Sequence, residues 1–94
     1  MATFLMFGKY SPEAYKEMSA ERTEKAKDLI VKHGGELKAA YVLLGEKDVV
    51  LIVDFPGVEE VIKTSVALVK MTGISFATSQ AITVEEFDKI CHDL

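Results

Sequence analysis

This chain of 94 residues lacks the features that would identify a chemistry directly. Its single cysteine, Cys91, can form no internal disulfide and has no second cysteine at zinc-ligand spacing. No segment has the spacing of a metal site, a glycine-rich phosphate loop or a nucleophilic triad. We therefore expect no resident metal and no cofactor, and we interpret Cys91 as a structural or incidental thiol.

Long apolar runs and an excess of basic charge are missing as well. The apolar run Val49–Val53 is far short of the roughly 18 to 20 residues that a membrane helix requires, so no membrane span is expected. The first residues lack the basic start of a secretory signal, which makes cytoplasmic residence the default expectation. The formal net charge is −4, and this argues against nucleic acid as a partner, because such binding depends on Lys and Arg beside phosphates.

Strand and helix patterns alternate along the chain and fit a single domain over residues 1–94. Extended apolar segments predict strands at Thr3–Tyr10, Leu37–Leu44, Asp48–Phe55 and from Ile74 to about Ile82. Apolar residues at three-and-four spacing predict helices at Pro12–Lys32, with a break allowed at Ser19, and from Val58 to near Gly73. A capping-box pattern at Thr83–Glu86 begins a short C-terminal helix.

The ends of these segments carry typical punctuating residues. Ser11 and Pro12 suit the cap and first position of a helix, and Gly34-Gly35 suits its end. His33 lies where a cation favours a helix C-terminus, so we expect it to cap the helix rather than to act in catalysis. The turn Gly45–Lys47 joins the second and third strands as a hairpin.

The order of elements predicts an α+β, ferredoxin-like βαββαβ fold with an additional C-terminal helix. Its antiparallel sheet has the strand order 4-1-3-2, which makes the first and third strands central. Both alternating sets of side chains are apolar in these two strands, for example Phe4 and Leu5 in the first and Val50 and Leu51 in the third. Because two helices cover only one face of such a sheet, the second apolar face needs another cover. We predict a homodimer, or a higher homo-oligomer, in which a second copy supplies it.

The turn Gly45–Asp48, with Gly34-Gly35 before it and Phe55–Gly57 after it, resembles the GYD domain family. This family comprises small bacterial and archaeal proteins grouped with the dimeric α/β barrels, and the resemblance extends over nearly the whole chain. Lys47 replaces the tyrosine of the name-giving Gly-Tyr-Asp turn. The resemblance implies a fold and a dimeric assembly without a defined activity, since related barrels include cofactor-free monooxygenases and haem enzymes.

Two charged residues are candidates for a site. Arg22 falls on the apolar stripe of the first helical segment, where a buried guanidinium would need a carboxylate or a ligand anion. The simpler alternative is a boundary arginine whose stem packs while its head reaches solvent. Asp48 is expected chiefly to fix the hairpin turn, with pairing to Arg22 or Lys9 as the alternative. Asp54, close to Pro56, is expected to cap the helix that follows.

Three further residues cluster near the ends of predicted strands. Tyr10 and Tyr41 would present hydroxyl groups to a space between helices and sheet, and Lys9 would add a cation at the same end of the first strand. Packing in the core or at an interface is the commoner role of tyrosines in so small a domain. Both interpretations remain open at the level of the sequence.

The leading hypothesis is a cytoplasmic homo-oligomeric module that binds a small organic or anionic ligand between helices and sheet. Its candidate ligand-binding residues are Arg22, Tyr41, Lys9, Tyr10 and Asp48. The alternative is an enzyme of the cofactor-free oxygenase or isomerase kind, which requires a polar-lined cavity of at least roughly 300 Å³. A third hypothesis is an interaction subunit that works through an exposed edge of the second strand.

Overall fold

The computed structural model describes every residue from Met1 to Leu94. Its strands are β1 (Ala2–Tyr10), β2 (Glu36–Val42), β3 (Val49–Phe55) and β4 (Ile74–Ala81). Its helices are α1 (Pro12–Lys16), α2 (Ala20–Lys32), α3 (Val58–Thr72) and α4 (Val84–Ile90). The predicted order of elements is confirmed, and strand bounds differ from the predicted ones by one or two residues.

The four strands form one antiparallel sheet in the order β2-β3-β1-β4, which is the predicted order read from the opposite side. In the central pair, Phe4 lies opposite Val53 and Phe7 lies opposite Val50. The two strands that are apolar on both faces, β1 and β3, are therefore the central strands of the sheet, as predicted.

The first helical segment is broken in two, as the second cap residue at Ser19 predicts. The Ser11 hydroxyl accepts from the Ala14 backbone N–H at 3.0 Å and begins α1, with Pro12 in its first turn. The Ser19 hydroxyl accepts from the Arg22 backbone N–H at 3.0 Å and begins α2. Each cap satisfies one of the free N–H groups of a helix start, so both starts are stable.

Two helices end as their residues predict. Gly34 and Gly73 have φ angles of +84° and +74°, a left-handed conformation that glycine adopts without strain. Before Gly34, the Nδ1 atom of His33 lies 3.0 Å from the carbonyl oxygen of Leu29. His33 therefore caps the C-terminus of α2, as expected.

The expected capping role of Asp54 is wrong. The N-cap of α3 is Gly57, and it supplies no side-chain hydrogen bond. Asp54 lies within β3 on the face away from the helices, where it accepts a hydrogen bond from the Thr3 hydroxyl at 2.6 Å. Its other carboxylate oxygen lies 3.9 Å from Lys38 Nζ. The alternation of side chains along the strand directs Asp54 away from the helix that follows.

The inner face of the sheet, which α1, α2 and α3 cover, holds the core. Its largest fully buried side chains include Met6, Phe55, Ile30 and Leu68. These pack with Phe4, Val53 and Val61 into one cluster. Close packing in this cluster removes apolar surface from water, and this burial is the main driving force for folding.

The outer face of the sheet is apolar at its centre, and no helix of the chain packs on it. Leu5 and Phe7 of β1 lie beside Ile52 and Val50 of β3 on this face. The C-terminal helix α4 does not cover them, and it has no buried residue of its own. None of the helices combines the length and the hydrophobicity needed to cross a membrane.

Candidate ligand-binding cavity

A cavity of about 180 Å³ opens between the helices and the inner face of the sheet, near the end of β1 and the start of α2. Its floor consists of buried residues, among them Val49, Leu68 and Ile74. Its rim includes the exposed residues Tyr41 and Val42 of β2. Ten of its 13 lining residues are hydrophobic, so the interior suits an apolar body.

Small residues around the cavity explain why it is not filled by side chains. Ala26 of α2 and Ala40 of β2 both line it. On β1 the inward position is Gly8, where a Cβ atom would lie 2.6 Å from Val49 Cγ1 and 2.8 Å from Phe76 Cε1. Val49 and Phe76 therefore approach each other across the β1 backbone and form part of the floor themselves.

Arg22 is the charged residue of the lining. It lies in the first turn of α2, its Nη1 atom donates to the Ala14 carbonyl oxygen at 2.6 Å, and its Cζ atom lies 5.7 Å from the ring centroid of Tyr10. The seven ion pairs of the protein all involve lysines, so the guanidinium has no carboxylate partner. Most of its five N–H groups remain available to a ligand.

A polar cluster adjoins the cavity at the end of β1. One carboxylate oxygen of Asp48 accepts the Tyr10 backbone N–H at 2.8 Å, and the other accepts the Tyr15 hydroxyl at 2.7 Å. The Tyr10 and Tyr15 rings lie with centroids 4.8 Å apart, and Lys9 Nζ lies 3.9 Å from Asp48. Asp48 thus connects the end of β1, helix α1 and the β2–β3 hairpin.

These contacts shift two pKa values in opposite directions. The Tyr10 backbone N–H, followed by the Tyr15 hydroxyl, lowers the pKa of Asp48, because both donors favour the carboxylate form. The hydrogen bond to Asp48 is the main cause that raises the pKa of Tyr15, since ionisation of the phenol would remove the donor and place two anions together. Near neutral pH the pair is a carboxylate and a neutral phenol.

The structure brings two of the predicted site residues, Arg22 and Tyr10, into the cavity lining, and Lys9 and Asp48 lie in the adjoining polar cluster. The expected position of the Tyr41 hydroxyl is wrong: Tyr41 borders the rim, but it pairs with Val50, so its side chain lies on the outer face of the sheet. Of the two pairings considered for Asp48, the structure has the one with Lys9. Asp48 also fixes the hairpin through its backbone, which donates to the Gly8 carbonyl oxygen at 2.9 Å and accepts from the Leu43 N–H at 2.8 Å.

Two polar residues of this region were not singled out from the sequence. Tyr15 fits the apolar stripe of a helix, but its ring is half exposed and its hydroxyl binds Asp48, 33 positions along the chain. Thr72 lies on the cavity floor, where its hydroxyl donates to the Leu68 carbonyl oxygen at 2.6 Å and accepts from the Ile74 N–H at 3.1 Å. No sequence signal marks either contact, because tertiary packing creates them.

Comparison with known protein families shows which family the chain belongs to. Residues 4–91 match the model of the GYD domain. The chain belongs to the GYD domain family. This GYD-domain chain has the turn Gly45-Glu46-Lys47-Asp48 between β2 and β3. No curated protein matches it.

Solved structures similar to this GYD-domain protein support the ferredoxin-like fold. One is the leucine response regulatory protein LrpA of Mycobacterium tuberculosis, with a TM-score of 0.58 and 8% identity over 88% of this chain. Another is a glutamate-to-alanine point mutant with a TM-score of 0.61 and 11% identity, also over 88% of this chain. The GYD-domain chain spans about half the length of each, since it covers 51% of both. Identities this low indicate a shared fold alone.

Proposed function

We propose that this GYD-domain protein is a homodimeric module that binds a small organic or anionic ligand between its helices and sheet. The observation that carries the proposal is the apolar cavity of about 180 Å³ with the unpaired guanidinium of Arg22 in its lining. An apolar cavity of about 150 Å³ is large enough to hold benzene. The volume therefore suits a ligand built on one ring or on a short branched chain.

The five candidate residues take different roles in this proposal. Arg22 and Tyr10 line the cavity and would contact the ligand directly, whereas Tyr41 borders the rim with its side chain on the outer face of the sheet. Asp48 and Lys9 would act as positioning residues, because Asp48 holds the backbone of Tyr10 and Lys9 Nζ donates to the Glu46 carbonyl oxygen in the hairpin at 2.9 Å. Loss of either positioning residue should change the shape of the cavity without removing a ligand contact.

A calorimetric titration with benzyl alcohol, a small neutral probe, tests the cavity. Ala40→Leu adds three carbon atoms to a lining position and should abolish binding. Ala20→Leu makes the same change at an exposed position of α2 outside the lining and should bind like the wild type. Binding that survives Ala40→Leu unchanged would place the probe elsewhere and contradict the proposal.

The dimer in this proposal forms through the outer face of the sheet. A standard interface buries about 800 Å² on each partner, and an apolar sheet face without a covering helix can supply such a patch. Leu5, Phe7, Val50 and Ile52 form its centre. A two-fold axis would place this face against its own copy, which is the simplest closed arrangement.

Light scattering during size-exclusion chromatography tests the dimer. The wild type should elute with twice the chain mass of 10.4 kDa. Phe7→Glu places a charge at the centre of the outer face and should give the monomer, whereas Ile62→Glu, on the exposed side of α3, should leave the dimer intact. A wild type that elutes as a 10.4 kDa monomer at low micromolar concentration would refute the dimer.

Binding is better supported than the enzyme alternative. The cavity is smaller than the roughly 300 Å³ that we required for an enzyme. Arg22 and Tyr10 are the lining residues whose side-chain donors are not used up within the protein, and such donors suit an anion, whereas the Thr23 and Thr72 hydroxyls already donate to the Ser19 and Leu68 carbonyl oxygens. A cytoplasmic location and the absence of nucleic acid as a partner are also part of the proposal, and the net charge of −4 supports the second of these.

A second candidate function, association through the sheet edge, is favoured by the position of β2. This strand lies at the edge of the sheet, and its Val42 is 82% exposed. An edge strand offers unpaired N–H and C=O groups to another chain. If copies associate in this way, Val42→Lys should reduce assemblies larger than the dimer in concentrated solution, and the dimer itself should persist.

A further inference from the structure

We infer that the ligand of this cavity is an apolar monocarboxylate, held by its carboxylate at Arg22 with its hydrocarbon body on the floor. This inference rests on the proposed function, because it assigns a chemical class to the ligand of the same cavity. Arg22 is the one arginine of the chain, and it lines a cavity that is otherwise mainly hydrophobic.

The site of the guanidinium on its helix favours an anion beside it. Arg22 lies in the first turn of α2, where the free N–H groups of the helix make positive charge unfavourable. An ion pair with an acidic side chain would normally offset this, but the acid on the same turn, Glu21, pairs with Lys25 at 3.3 Å instead. A ligand carboxylate beside Arg22 would neutralise the guanidinium and interact favourably with the helix start.

The geometry of the guanidinium suits a carboxylate. One N–H group donates to the Ala14 carbonyl oxygen, and the Tyr10 ring lies 5.7 Å away. These two contacts orient the planar group, and its remaining N–H groups can form the paired hydrogen bonds that arginine makes with carboxylates. Tyr10 belongs to the same lining, and its hydroxyl is a further donor for the ligand in this proposal.

The rest of the lining argues for one negative charge and no positive charge on the ligand. Lys9 lies in the adjoining cluster and is engaged with Glu46 and Asp48, so the cavity presents one cation rather than several. A phosphate dianion normally requires more donors than this. No carboxylate side chain lines the cavity to meet an ammonium group, so an amino acid fits it less well than the corresponding simple acid.

Three probes with the same ring test the inference: phenylacetate, its neutral amide phenylacetamide, and the zwitterion phenylglycine, each titrated by calorimetry near neutral pH. Phenylacetate should bind the wild-type protein about tenfold or more tightly than either of the others, because a charge-assisted hydrogen bond contributes that much. Arg22→Gln should reduce the preference for the acid over the amide to about one and leave the affinity for the amide unchanged. Arg22→Lys keeps the charge without the planar fork and should retain only part of the preference.

The outcomes separate this inference from the proposed function. If benzyl alcohol and phenylacetamide bind as well as phenylacetate, or if the preference survives Arg22→Gln, the inference fails and the binding module stands. If no probe binds the wild type at millimolar concentration, both fail. Should Arg22→Gln not fold, Arg22→Lys decides, and an unreduced preference in that variant overturns the inference.

Discussion

The two ends of the inner sheet face are built from the same elements but packed differently. At one end, Phe55 is fully buried against Met6 and Ile30. At the other end, Leu51 and Val49 border a cavity of about 180 Å³. One sheet and one helical layer therefore contain both a close-packed core and an open space.

Side-chain size accounts for this difference. Large residues from strands and helices interdigitate at the packed end, whereas the cavity end has Gly8, Ala26 and Ala40 at inward or lining positions. A void forfeits dispersion contacts, so it lowers stability unless a ligand fills it. We therefore expect the packed end to contribute most of the stability and the cavity end to provide the binding site.

We expect the largest loss of stability when the Phe55 side chain is truncated. Phe55→Ala should lower the free energy of unfolding by about 3–5 kcal/mol, because it opens a cavity in a fully buried environment. Leu51→Ala, at the cavity end, should cost about 2 kcal/mol or less, since part of the Leu51 side chain already borders open space. Urea unfolding at one fixed protein concentration measures both, and equal losses would contradict the difference in packing.

Two glycine substitutions provide a matched test of the same contrast. A Cβ atom on Gly35 would overlap the Phe55 ring, which is enclosed, so Gly35→Ala should cost about 2–3 kcal/mol. A Cβ atom on Gly8 would meet Val49, Phe76 and Ile74, and because all three border the cavity and so have space beside them, Gly8→Ala should cost about 1 kcal/mol. Both substitutions lower the conformational entropy of the unfolded chain by the same amount, so this effect cancels when the two variants are compared. If Gly8→Ala lowers the Tm more than Gly35→Ala does, the cavity end is the more rigidly packed of the two, and the expected difference is contradicted.

Acid pH should act mainly on the cavity end, through Asp48. Its pKa in the folded protein is lowered, so its hydrogen bonds contribute stability above the ordinary pKa of about 3.9, and that contribution is lost as pH falls through the folded-state value. The Tm difference between wild type and Asp48→Asn should therefore be largest near neutral pH and shrink on acidification. Asp28→Asn, exposed on α2, serves as the control and should follow the wild-type profile. A difference that does not change with pH would contradict the role of the Asp48 charge.

The smallest effect is expected at alkaline pH, through Tyr15. Its pKa is raised, so the hydrogen bond to Asp48 contributes stability below the ordinary tyrosine pKa of about 10 and loses it as pH rises through the folded-state value. The Tm difference between wild type and Tyr15→Phe should shrink at strongly alkaline pH. The ultraviolet titration of the variant should lack one late tyrosine ionisation, and loss of an early one instead would be inconsistent with this hydrogen bond.

Much of the fold was predictable because its signals are local or periodic. The two apolar parities of β1 and β3 identified the central strands, and Ser11 and Ser19 marked two helix starts. Asp54 was misread because its closeness to Pro56 suggested a cap, while the parity of the strand turned its side chain toward Thr3.

The candidate site was predictable only in part. Arg22 and Tyr10 were recognisable as polar groups beside apolar positions, and the structure places both in one lining, whereas the bulge in β2 turns Tyr41 to the outer face. The volume of the cavity was not predictable, because it depends on how small residues from several elements meet. The contact between Tyr15 and Asp48 likewise depends on tertiary structure.

Methyl-group NMR during titration with benzyl alcohol tests the central claim most directly. We predict that chemical shift changes concentrate on the cavity residues Val49, Leu51, Leu68 and Ile74, while Val53 and Ile30 at the packed end stay unchanged. Shift changes spread evenly over both ends, or none at saturating probe, would contradict the claim that the ligand binds in the cavity bordered by Arg22.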